Sequence, residues 1–337
     1  MNDQRSAAEP AAAAVAVPEA VSALDGAGPA RPVRPGGRRA ALAPVALVVA
    51  GGLSVQFGSA VAALLMPRAG ALGVVTIRLV VAAVVLLVVC RPKLRGHSRA
   101  DWGTVLAFGI AMGAMNVLFY QALDRIPLGA AVTLEVLGPL ALSVIASRRL
   151  INFVWAGLAL GGVFLLSGMG SPLFERSREL GGGFDRLDPL GAAFALGAGA
   201  MWATYIVFSA RTGRRFPQAD GLALAMVVAA VLSLPLGILE SGAKLAVPST
   251  LAMGAAVALM SSVLPYTLEL MALRRLPAHT FAVLMSLEPA IAATAGFLIL
   301  DQALTATDAL AIALVIGASM GAVRSQMGAG RRKRENP

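Results

Sequence analysis

Away from their ends, the long apolar runs of this chain are interrupted by four charged side chains, Arg78, Glu135, Glu269 and Glu288. A carboxyl group withdrawn from water takes up a proton more readily than one in water, and an ammonium group can then compete with that proton for the same oxygens. That competition is the chemical basis of proton-coupled exchange. Arginine keeps its charge when buried and presents a planar fork that matches a carboxylate, so Arg78 beside a glutamate offers a matched pair for a zwitterion. A structural ion pair between Arg78 and Glu135, with no ligand involved, is the other reading. Gln56, Asn116, Tyr120, Gln121, Trp202, Tyr205 and Tyr266 stand in runs that otherwise read as Ala, Val, Leu and Gly. Such groups either line a cavity or tie helices together by hydrogen bonds.

The elements that carry these residues must span a bilayer. Of the 337 residues 58% are hydrophobic and only 14% are charged, against about 25% charged in a soluble domain. Ten apolar runs are read, near 41–63, 71–90, 102–122, 128–147, 152–169, 189–210, 220–239, 249–272, 277–299 and 306–324, each close to the roughly 20 residues a spanning helix needs. The expected fold is an all-α integral membrane protein of ten transmembrane helices. Arg78 and Glu135 then lie about 10–12 Å from the outer ends of their spans and Glu288 about 16 Å in, at 1.5 Å rise per residue. Glu269 falls about a turn from the inner end of the eighth span and reaches water more easily.

Charge decides sidedness, because cytoplasmic loops collect Lys and Arg. Segments at one set of span ends, from Arg5 through Arg91, Arg148, Arg211 and Arg274 to Arg334, hold 21 of the 28 cations, the alternate loops hold 6, and Arg78 lies inside a span. The alternation supports an even span count with both termini cytoplasmic. It also accounts for the net charge of +10 without nucleic acid. Residues 1–40, rich in Ala and Pro and devoid of aromatics, read as a disordered cytoplasmic tail. Residues 170–188 read as an extracytoplasmic linker, and 325–337 as a basic cytoplasmic tail.

Shifting the chain by 150 residues lays Ala122–Pro139 on Ala272–Pro289 without a gap, matching seven positions that include Arg125 with Arg275, Pro127 with Pro277 and Pro139 with Pro289. The expectation is two related halves, 41–169 and 189–324, of five spans each. Five is odd, so the second half enters from the opposite side, as in the inverted repeats of many secondary transporters. In this register Glu135 lies on Met285 and Glu288 on Gly138, three residues apart and so on one helical face. Pro139 and Pro289 should kink their helices. Gly157 with Gly161, and Gly317 with Gly321, form GxxxG faces suited to close packing, either of these two helices with each other or in a homodimer.

Other chemistry is missing from the sequence. It contains no HExxH, GxGxxG or Walker lysine motif, and its one cysteine, Cys90, excludes an internal disulfide or a multi-cysteine metal site. The expectation is a protein that is not an enzyme, with no cofactor and no metal, whose partners are a small molecule, protons and lipid.

Four strings carry a resemblance: NVLFYQALDRIPLGAAVTLEVLGPL from Asn116, SRRLINFVWAGLAL from Ser147, ALGAGAMWATYIV from Ala195 and LPYTLELMALRRLPAHTFAVLMSLEPAIAA from Leu264. Together they resemble the threonine/homoserine exporter family, in the EamA branch of the drug/metabolite transporter superfamily, from about Val45 to Arg324. The resemblance implies a ten-helix fold of two inverted five-helix repeats in the cytoplasmic membrane, and proton-driven efflux of small neutral amino acids. It sets Glu135, Tyr266, Glu269 and Glu288 within family strings. The 1–40 tail is outside the family pattern. Efflux of another metabolite or drug, and a non-transporting receptor or scaffold, are the alternatives.

Overall fold

The computed structural model describes residues 38–147, 150–166, 187–216, 220–265, 268, 272 and 283–335. Tyr266, Glu269, the Arg275–Pro277 side of the repeat, the tail up to residue 37 and residues 170–186 of the linker lie outside them. All regular structure among the described residues is helical. The elements are α1 (Arg38–Cys90), α2 (Arg99–Leu123), α3 (Leu128–Glu135), α4 (Leu137–Ser147), α5 (Leu150–Leu166), α6 (Pro189–Gly213), α7 (Asp220–Ser241), α8 (Pro248–Ala258), α9 (Glu288–Leu300) and α10 (Ala306–Glu335). A 3-10 turn, Gly242–Ala246, precedes α8, and a π-helical segment, Leu259–Val263, follows it.

Six stretches among these residues are long and apolar enough to cross a membrane: Ala43–Cys90, Arg99–Leu123, Pro189–Gly213, Asp220–Ala246, Val283–Leu300 and Ala306–Arg324. Leu128–Leu142, Phe153–Leu166 and Pro248–Val263 are shorter apolar helices. Large apolar side chains cover the outside, with Ile145 74%, Val89 73% and Phe153 67% exposed. A water-soluble surface does not carry so many large apolar groups together, whereas hydrocarbon accepts them. The chain is a multi-pass, all-helical membrane protein.

Inside, small residues allow close helix contact. Ala60, Ala62, Ala69, Ala82, Ala195, Ala198 and Ala229 are fully buried around Leu65, Leu79, Met112, Tyr120 and Leu134. The main packing joins elements before residue 167 to elements after residue 186: α2 lies on α6 and α7, α1 on α7, α8 and α9, α3 on α9 and α6, and α5 on α10. Of the GxxxG glycines, Gly321 sits under the Trp155 ring, while Gly157 and Gly161 face open space.

Helix starts follow from local sequence. Ser98 and Asp101 form a reciprocal capping box on α2, Asp188 accepts from the Leu190 and Gly191 amides beside Pro189 at the start of α6, and Thr305 and Asp308 cap α10 reciprocally.

The helix breaks matter more for the site. In α1, Gly70 adopts φ 66° and ψ 164°, a conformation open to glycine but costly for residues with a Cβ. The break divides a largely apolar stretch of 48 residues, about 72 Å long at 1.5 Å per residue and so more than twice the hydrocarbon thickness. The groups freed there are paired by the last two residues of α7. The Leu72 and Gly73 amides donate to Glu240 Oε2 at 2.7 and 3.1 Å, and the Ser241 hydroxyl donates to the Ala69 carbonyl.

Two further breaks fall at Val136, between α3 and α4, and at Ser286–Leu287, before α9. Each lies just ahead of a proline, Pro139 or Pro289. Proline has no N–H and its ring crowds the carbonyl four residues earlier, which here belongs to Glu135 or Met285. The kinks expected from the sequence are present as interruptions.

Candidate functional site

The second arm of α1 carries Arg78 toward α2 and toward the π segment after α8. Its Nε donates to Ser262 Oγ at 3.2 Å, Nη1 to the Tyr120 hydroxyl at 3.3 Å and Nη2 to the Ser261 carbonyl at 3.1 Å. The guanidinium carbon also lies 5.5 Å from the centre of the Tyr120 ring, within cation–π range. Tyr120 is fully buried and Ser261 and Ser262 nearly so, which fixes the cation from three sides.

The sequence removes one helical donor just beyond this segment. Leu264 N–H bonds back five residues to Leu259 O, the π register. Continued in that register, Met260 O would need the N–H of Pro265, and in ordinary α register Ser261 O would need the same group. Proline has none. Both carbonyls are instead satisfied from α1, Met260 O by the Ser54 hydroxyl at 2.5 Å and Ser261 O by Arg78. Gly58 permits the close approach, since a Cβ there would fall 3.0 Å from Ser261 Cβ. Within hydrocarbon each such group needs a protein partner.

Glu135, the last residue of α3, is half-buried. No ion pair joins it to Arg78: among the described residues, ion pairs link Arg125 with Asp124 and Asp188, and Arg215 with Asp101. Glu288, 8% exposed, occupies the first turn of α9 immediately after the Ser286–Leu287 break. Both carboxylates accordingly stand at a helix discontinuity.

The other residues singled out from the sequence take different places. Gln56, on the first arm of α1, is 3% exposed and its Oε1 has no hydrogen-bond partner. Asn116 is buried and returns its amide to the Met112 carbonyl of its own helix at 2.9 Å. Gln121 accepts from Arg125. Tyr205 packs on Phe108 with ring centres 5.1 Å apart, and Trp202 lies partly buried against the core. Tyr266 and Glu269 are outside the described residues. Ser54, Ser261, Ser262 and Glu240 were not singled out, although adjacent serines before a proline in an apolar run were a signal for the π segment.

The pattern of the EamA-like transporter family matches residues 189–324. Over 278 residues the chain is 38% identical to the threonine/homoserine exporter RhtA of Escherichia coli (strain K12), covering 82% of this chain and 90% of that protein. The same exporter of Salmonella typhimurium (strain SL1344) matches at 38% identity with the same coverage. One solved crystal structure superposes with a TM-score of 0.52 at 18% identity, covering 87% of this chain and 99% of the other, a likeness of fold.

Proposed function

Because this chain belongs to the threonine/homoserine exporter family of EamA-like transporters, and so to transporters rather than enzymes, we propose that it exports small neutral amino acids in exchange for protons by alternating access. The observation that carries this reading is the seat of Arg78, held by Tyr120 from the first half and by Ser261 and Ser262 from the second, without an ion pair to Glu135. A zwitterion would place its carboxylate on Arg78 and its ammonium on Glu135. Glu288 would carry the coupling proton. Ten spans in two inverted halves, 41–169 and 189–324, are part of the proposal, supported by the breaks at Val136 and Ser286, which lie 150 residues apart, the offset of the sequence repeat. The loop charges support both termini inside, and the exporter relatives support placement in the cytoplasmic membrane.

The test uses purified protein in sealed liposomes with an imposed pH gradient and an entrapped pH dye, to which threonine and homoserine are added in turn. Proton movement on addition supports antiport and identifies the substrate class together. Silence toward both, with insertion verified by protease protection, overturns it.

A further inference from the structure

We propose that Ser262, in the π segment, is a positioning residue for substrate recognition: it holds the Nε edge of Arg78 so that the opposite end of the guanidinium is presented to a carboxylate. The inference rests on the reading of Arg78 as the carboxylate site and adds to it a residue from the other half of the chain.

A guanidinium has five N–H donors in a fixed plane. Ser262 takes the one on Nε, Ser261 takes one on Nη2 and Tyr120 takes one on Nη1. Among the described residues one N–H remains without a partner on each terminal nitrogen. These two can be offered together to the two oxygens of a carboxylate. If Nε were not held, the plane could turn about its terminal bonds and exchange the edges. Ser261 O cannot supply this selection alone, because a single carbonyl accepts equally well from any edge of the fork.

The serine hydroxyl is itself held still. Ser262 is 3% exposed, and its segment is secured to α1 by the Ser54 bond to Met260 O and by the Gly58 contact with Ser261. Ser261 Oγ is committed to Val257 O at 2.7 Å, which leaves the Ser262 hydroxyl as the side-chain acceptor for Arg78 in the segment. Pro265 lacks the N–H that Ser261 O would use in α register or Met260 O in π register, and both carbonyls have donors in α1.

The experiment measures threonine transport in liposomes for the wild type, Ser262→Ala, Ser262→Thr, Arg78→Lys and the double variant Ser262→Ala/Arg78→Lys, with insertion and monodispersity checked for each. Ser262→Ala should raise KM roughly tenfold, the scale of one lost hydrogen bond to a charged group, with the maximal rate changed by less than about twofold. Ser262→Thr, which keeps the hydroxyl, should return KM to within about twofold of wild type. Lysine has no fork to orient, so Ser262→Ala should add little on the Arg78→Lys background. An unchanged KM in Ser262→Ala while Arg78→Lys raises it overturns the positioning role and leaves the carboxylate site standing. So does a loss that Ser262→Thr fails to restore. An unchanged KM in Arg78→Lys, or no threonine transport by the wild type, overturns both readings.

Discussion

Gly138 and Gly199 meet backbone to backbone. A Cβ on Gly138 would fall on the Gly199 carbonyl, and one on Gly199 would lie 2.5 Å from the carbonyl oxygen of Glu135. That oxygen is the one whose helical donor Pro139 removes, so the break that ends α3 at Glu135 is seated on α6 through two residues without side chains. The position of the carboxylate therefore depends on contact between the two halves. Gly138→Ala and Gly199→Ala should each cost about 1–3 kcal/mol or more, the range of overpacking a tight contact. Gly157→Ala, which meets nothing within 4 Å, should stay within about 0.5 kcal/mol of wild type. Thermal unfolding in detergent separates the two classes.

Replacing Glu288 by Gln keeps size and hydrogen bonding but removes the titrating group. The variant should insert and fold normally while losing transport driven by a pH gradient, and it should retain exchange of amino acid across the membrane when no gradient is imposed. Normal gradient-driven flux in Glu288→Gln would remove this residue from the coupling step.

Glu240 accepts from two amides released by the Gly70 break. Glu240→Ala should leave both amides to water, read most directly as faster hydrogen exchange at Leu72 and Gly73. Glu240→Gln keeps an accepting oxygen and should exchange at a rate between the two. Gly70→Ala should be more damaging than its small size suggests, because the positive φ and the Glu240 carboxylate both oppose a Cβ there.

At the other end of these helices Arg215 pairs with Asp101 at 2.9 Å, and His97 stacks on Phe216 with ring centres 4.2 Å apart. The ion pair is partly exposed, and Arg215→Ala should cost no more than about 1 kcal/mol. Phe216 is 3% exposed, and Phe216→Ala should cost about 3–5 kcal/mol by opening a cavity. A larger loss for Arg215→Ala than for Phe216→Ala in thermal unfolding would invert this ranking.

Much of the fold and of the site was legible in the sequence because the signals were local. The span-length apolar runs are countable, Pro139 and Pro289 mark the breaks beside Glu135 and Glu288, and a lone arginine in an apolar run draws attention to itself. What could not be read depends on partners far apart in the chain. Arg78 meets Ser262 across 184 residues and Leu72 meets Glu240 across 168. Nothing near Ser262 distinguishes it from a serine that merely returns a bond to its own helix, which is what Ser261 Oγ and Asn116 do. Nothing in the sequence around Glu240, at the end of an apolar run, announces the two amides that the Gly70 break supplies to it.

The Gly70 cap sets an order of events during synthesis. Leu72 and Gly73 enter the membrane with their amides unpaired, and their acceptor is 168 residues further along the chain, on the order of ten seconds or more of translation at about 5–20 residues per second. Through that interval water can pair the amides, since the Leu72–Glu240 bond is exposed. The converse holds for Met260 and Ser261, whose carbonyls find their donors already waiting in α1. A first half made alone would keep these two amides paired only with water, whereas two halves made as separate chains in the same cell should pair them with Glu240.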